Sequence, residues 1–139
     1  MEALRDILRT FRPVGGETLR VAGTGAEPFA AVDPRALRVE AEAGSSAHLV
    51  VLHTKADAAS LTVALGEGAQ LELTHLFAAE AFAEVSVRQS ARSRCRVTTV
   101  QLTGANASYR IDLDGAEAEN SLGGAFLAAD GEHCVVTLH

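Results

Sequence analysis

What most constrains this chain is a succession of short runs in which apolar and polar residues alternate, broken at near-regular intervals by small, turn-forming residues. Alternation with period two puts every second side chain on one face of an extended strand. Such runs cover residues 19–21, 37–41, 49–52, 61–65, 71–74, 85–87, 96–100, 109–113 and 134–138, of which Leu61-Thr62-Val63-Ala64-Leu65 is typical. Each is bounded by Gly, Ala, Ser, Asn or Asp, as strands are. The punctuation itself recurs, in Ala43-Gly44-Ser45-Ser46-Ala47, Gly66-Glu67-Gly68-Ala69 and Asp114-Gly115-Ala116-Glu117-Ala118. Gly44 and Gly66 are 22 positions apart, and Gly115 lies 49 beyond Gly66, close to two further periods. A period of about 20–25 residues is the signature of a solenoid, in which each coil stacks on the next. An antiparallel barrel or sandwich with similarly spaced turns gives the same rhythm, and periodicity alone leaves both open.

The supply of apolar residues bears on that choice. The chain has no Trp, one Tyr, one Met and five Phe, so its core must be built from Val, Leu and Ala. Side chains of that size suit thin, closely stacked layers. A length of 139 residues fits one domain. Residues 2–11 differ from the rest: Leu4, Ile7, Leu8 and Phe11 recur at helical spacing, and Pro13 with Gly15-Gly16 ends the pattern. The expected organisation is a short N-terminal helix and linker over 1–16, followed by a β core over 17–139.

Charge and targeting features exclude several roles. A net charge of −6 argues against nucleic acid as a main partner, because neutralising phosphates needs a basic surface. No apolar run reaches the roughly 20 residues that cross a bilayer, so no membrane association is expected. The first residues lack the basic-then-apolar layout of a secretion signal. Cys95 and Cys134 are too few for a disulfide framework. A reducing, cytoplasmic setting is the expectation.

The chemistry-bearing residues are sparse. Gly23-Thr24-Gly25-Ala26 lacks the Gly-Lys of a phosphate-binding loop and reads as a turn. No Ser-His-Asp order, carboxylate pair or His-Glu-x-x-His appears, so a non-enzymatic role is expected. Metal-ligating types are limited to Cys95, Cys134 and the histidines at 48, 53, 75, 133 and 139. Strand parity sorts them. Cys95 shares the face of Val97 and reads as a small core residue. His48 and His53 fall on opposite faces of one strand. His75 shares the face of Leu71 and Leu73, which suggests a buried or edge histidine with a hydrogen-bond partner. At the C-terminal end, Cys134, His133 and His139 are the metal-ligand candidates. Cys134 aligns with Val136 and Leu138 while both histidines take the other face, so a joint site requires a bulge. Arg88, Arg92, Arg94 and Arg96 form the most basic stretch, read as a solvated outer row or a patch for an acidic partner.

From about residue 87 onward the succession of motifs is more specific. Val87-Arg88-Gln89, Leu102-Thr103-Gly104 and the run 109–118 lead into Leu122-Gly123-Gly124-Ala125-Phe126-Leu127-Ala128, then Gly131-Glu132-His133-Cys134 and the final His139. This resembles the SufB/SufD family of iron–sulfur cluster assembly proteins, and its SufD branch in particular. The resemblance implies an all-β fold, a right-handed parallel β-helix. It also implies a non-catalytic scaffold that pairs with a SufB-type partner and a SufC-type ATPase, with an iron–sulfur cluster shared transiently with that partner rather than bound by this chain alone. Family members continue beyond the point where this sequence ends. An open coil exposes unpaired backbone groups at its end, so pairing of chains into a homodimer through the last coil is expected. The competing readings are a stand-alone β-domain that binds a metal or small molecule, and a pure protein-interaction module.

Overall fold

A computed structural model of the chain describes the backbone of residues 12–13, 18–23, 28–102, 105–126 and 134–138, and side chains within 18–23, 28–102 and 107–123. The helix expected over 2–11 lies outside the described residues, as do His133 and His139. The described residues contain strands and no helix.

The strands are β1 (Arg12–Pro13), β2 (Thr18–Val21), β3 (Phe29–Val32), β4 (Ala36–Ala41), β5 (Ser46–His53), β6 (Ala58–Leu65), β7 (Gln70–Phe77), β8 (Phe82–Gln89), β9 (Arg94–Gln101), β10 (Ala105–Leu113), β11 (Glu119–Phe126) and β12 (Cys134–Leu138). They segregate by parity of their number. One six-stranded sheet runs β1-β3-β5-β7-β9-β11 and the other β12-β10-β8-β6-β4-β2. Every pairing is parallel. The chain therefore alternates between an odd and an even sheet, each coil lying on the one before. This is a parallel β-solenoid, and the antiparallel barrel or sandwich is excluded.

Register gives the period of the central coils, the first pairings being closer (Phe29 with Leu49) and the last wider (Arg94 with Glu119). Ser46 pairs with Gln70 and Gln70 with Arg94, a step of 24 residues. On the even sheet Ala58 pairs with Phe82 and Phe82 with Asn106, again 24. The 22-residue spacing of Gly44 and Gly66 compares different positions of the same turn. In that turn the amide of Ser45 donates to the carbonyl of Glu42 (3.0 Å), that of Ala69 to Gly66 (3.0 Å) and that of Ser93 to Ser90 (3.2 Å). The third residue of each turn has positive φ: Gly44 at 72°, Gly68 at 72° and Arg92 at 58°, and Glu117 continues the column at 60°. A positive φ at the third residue alone identifies the type II turn. The turns stack, because Gly44 N–H donates to Glu67 (2.9 Å), Gly68 N–H to Ala91 (3.0 Å) and Arg92 N–H to Ala116 (2.9 Å).

In-register stacking makes columns of like side chains. Leu49, Leu73 and Val97 line up on the inner face of the odd sheet, and Val39, Val63 and Val87 on that of the even sheet. All six are buried and belong to one continuous core. Small and branched residues fill this narrow interior, as the composition anticipated. Three strands escape the sequence pattern. Arg12–Pro13 is too short to show alternation. Phe29-Ala30-Ala31-Val32 buries successive alanines on both faces, and Glu119-Asn120-Ser121-Leu122-Gly123-Gly124 carries too few bulky residues to reveal a period.

Close stacking at the turn predicts a sharp size limit. A Cβ added to Gly66 would lie 2.7 Å from the backbone nitrogen of Ala43 in the preceding turn. Gly66→Ala is expected to cost about 1–3 kcal/mol, the range for overpacking, read as a lower urea midpoint with an unchanged slope.

Candidate functional site: a buried histidine pair and the groove outside it

Chemistry-bearing side chains gather where the odd strands end. His53 closes β5 and His75 lies near the end of β7, both on inward parity with the leucines before them. In register His53 faces Phe77 and His75 faces Val51, so the two histidines are diagonal neighbours on adjacent coils. Their Nε2 atoms are 2.6 Å apart. His75 Nδ1 is 3.0 Å from the hydroxyl of Tyr109, which reaches across from the even sheet. Phe77 covers the pair, stacked on His53 at 4.8 Å between centroids and tilted on His75 at 4.3 Å. All four side chains are buried.

Two ring nitrogens at that distance share one proton: one donates and the other accepts. When the phenol O–H of Tyr109 donates to His75 Nδ1, the proton of His75 is on Nε2 and donates to His53. A proton added at His53 forces the reverse order, with His53 donating to His75 and His75 Nδ1–H donating to the phenol oxygen. A protonated His53 thus fixes the direction of the whole chain, whereas the neutral pair admits either order according to tautomer. Burial opposes that charge. It lowers the pKa of His53, with the Asp33 carboxylate pulling the other way, and holds His75 well below the usual histidine value, with His53 adding to the effect. The Tyr109 hydroxyl is pushed up to about 12 by the same desolvation. Asp33 is fixed at the corner, where it accepts from the amide of Thr54 at 2.6 Å and from the Thr54 hydroxyl.

The opposite corner holds an amide cluster. Gln89 Nε2 donates to the carbonyl of Glu119 at 2.8 Å, and Asn120 Nδ2 donates to Gln89 Oε1 at 2.8 Å. These bonds satisfy a fully buried glutamine and tie consecutive coils together. On the outer face of the odd sheet, His48, Gln70, Glu72, Arg94, Arg96 and Glu119 line an open groove of about 950 Å³. His48 faces outward, 3.1 Å from the hydroxyl of Thr74.

The expected site residues divide accordingly. Cys95 is buried in the core, and desolvation pushes its thiol up to about 12, so it stays protonated. Cys134 opens β12, with its backbone paired to Ala105; its side chain, like His133 and His139, lies outside the described residues. The arginine stretch is not one face. Arg88 belongs to the even sheet, Arg94 and Arg96 to the odd one, and Arg92 to the turn between them. Three of the four are ion-paired to carboxylates: Arg88 with Asp114 (2.9 Å), Arg92 with Glu67 and Arg94 with Glu119 (3.4 Å). These pairs are exposed, each worth about 1 kcal/mol or less. The sequence offered His75 as a buried or edge histidine with a hydrogen-bond partner but did not reveal that the partners are His53 and Tyr109. The available signal was their shared inward parity at strand ends on neighbouring coils. Among the described residues, no three His, Cys, Asp or Glu side chains converge as a metal-binding group. No known family profile, curated protein or solved structure matches the chain. No helix among the described residues is long and apolar enough to cross a membrane.

The histidine pair makes stability depend on pH in a stated direction. Both folded pKa values lie below the ordinary 6.5, so the unfolded chain binds more protons as pH falls through that value. The stabilisation is complete above about 6.5 and is lost progressively below it. Thermal melts should show a falling midpoint from pH 7 to pH 5, and a His53→Phe/His75→Leu double variant should flatten that slope. Tyr109→Phe leaves His75 Nδ1 without its partner and is expected to cost about 1–3 kcal/mol in urea unfolding at pH 7.5.

Proposed function

We propose that this chain is a non-catalytic scaffold of iron–sulfur cluster assembly, SufD-like in character, that docks a SufB-type partner and a SufC-type ATPase. The observation that carries the reading is the agreement of two separate lines. The motif succession of residues 87–139 resembles the SufD branch and implies a β-helix, and the described residues form a parallel β-solenoid, with Val87-Arg88-Gln89 on β8 and residues 109–113 on β10. The architecture suits the role. A stack of coils is stiff, and its terminal strands β11 and β12 carry ladder groups that can pair with another chain. A cluster arriving at such a platform is cargo shared between chains. Cys134, His133 and His139, at the β12 end, are the residues of this chain proposed to face it.

The groove on the odd sheet supports a second reading, a stand-alone β-domain that binds a small polar molecule between His48, Glu72 and Arg96. The two readings separate on a sizing column. On the scaffold reading, the chain co-elutes with a SufB-type protein at equimolar ratio, and the complex gains a visible charge-transfer band after anaerobic loading with iron and sulfide. Cys134→Ser should weaken that band. Separate elution of the two proteins at micromolar concentration would sink the scaffold.

A further inference from the structure

The odd sheet has an apolar cluster on its outer face. Ala30, Val50 and Leu52 are buried there, with Leu76 and Ala78 packed against them. Their parity points them away from the core. Leu49, Val51 and His53 alternate with them along β5 and face inward. Residues on the outside of a solenoid are ordinarily washed by solvent, as Arg38, Thr62 and Arg88 are on the even sheet. Leu52 is 0% exposed and Val50 4%. The strand neighbours of a side chain on an open sheet face shield only its flanks, so burial this complete requires a layer above it. It is reached within a single chain.

We propose that the outer face of the odd sheet, centred on Val50 and Leu52, is the docking seat of this chain's own N-terminal amphipathic segment, residues 2–11. Three observations converge on that occupant. The segment carries an apolar stripe of Leu4, Ile7, Leu8 and Phe11 at helical spacing, the pattern of an element with one face to bury. It is tethered at the right place. Arg12 pairs with Phe29 and Pro13 with Ala30 at the edge of the odd sheet, so residue 11 adjoins the first strand of the apolar cluster. The span also fits. Ten helical residues extend about 15 Å, enough to cross from β3 over β5 to β7 at about 4.8 Å per strand. The other stretches beyond the described residues lack such a stripe. Residues 14–17, 24–27 and 103–104 are short and mostly polar or small, and 127–133 follows in sequence β11, the strand at the opposite edge of the odd sheet from β1. Val32, 46% exposed although paired with Leu52, marks the rim of the covered area.

The docked segment would give the solenoid a third layer on one flank, leaving the charged groove at the other end of the same strands open. The test is site-resolved thiol labelling in the full-length chain. Leu52→Cys should resist a maleimide under native conditions, while Val32→Cys reacts promptly, both read by peptide mass spectrometry to separate them from Cys95 and Cys134. Adding Leu8→Asp should raise the Leu52→Cys labelling rate at least tenfold and leave Val32→Cys unchanged. Equal protection of Leu52→Cys with and without Leu8→Asp would overturn the assignment. Protection that vanishes on dilution would assign the face to a second copy and overturn it equally. Should Leu8→Asp unfold the chain, an Ile7→Cys/Thr74→Cys pair and a short bismaleimide supply the second measurement. An intramolecular cross-link is expected, and only intermolecular product, or none, refutes the docking.

Discussion

The structure depends on one constraint, the parallel register that stacks each coil on the last, 24 residues on through the central coils. Once two coils are fixed in that register, inward positions stack in columns, leucine on leucine at 49 and 73 and valine on valine at 39, 63 and 87. The hydrogen-bond ladders run along the stack and consume the backbone groups of each sheet. The same register stacks the turns, so a single left-handed residue per coil becomes a column. That column begins with glycines and ends with Arg92 and Glu117, side chains that endure an unfavourable backbone region because the turns on either side define it. Nearest-neighbour contact between coils supplies nearly all the cohesion, as in other repeat architectures.

The interior is too thin to hide polar groups far from its edges, and the polar residues it does contain lie at the corners where the sheets meet. The two corners solve the problem differently. At the type II turns, Gln89 donates to a backbone carbonyl and accepts from Asn120 through neutral amides, and no proton is at stake. At the other corner, His53, His75 and Tyr109 form a chain whose polarity depends on protonation. One corner is thereby a fixed structural joint and the other responds to its medium.

Much of the fold was legible in the sequence. Alternation located most strands, and the absence of Trp with the wealth of Val, Leu and Ala pointed to a narrow core. Parity placed Cys95 inside and His75 either inside or at an edge, and both are buried. The period came out two residues short because Gly66 and Gly68 lie in the same turn, and only register tells which of them matches Gly44. Strand β11 was hidden because Gly123 and Gly124 carry no side chain to show a rhythm. The arginine stretch read as continuous because the sequence does not show where the chain passes from one sheet to the other. The histidine pair required knowing that residues 22 positions apart adjoin diagonally on strands whose register step is 24, which is a property of the stack rather than of either strand.

The corner chain ends in the only tyrosine of a molecule that has no tryptophan. Tyr109 is enclosed between the sheets with its hydroxyl held by His75. Its ultraviolet fluorescence is therefore an intrinsic beacon for a single spot, dimmed or brightened by the imidazole beside it. The molecule comes with its own reporter dye, placed where its ionisation is decided.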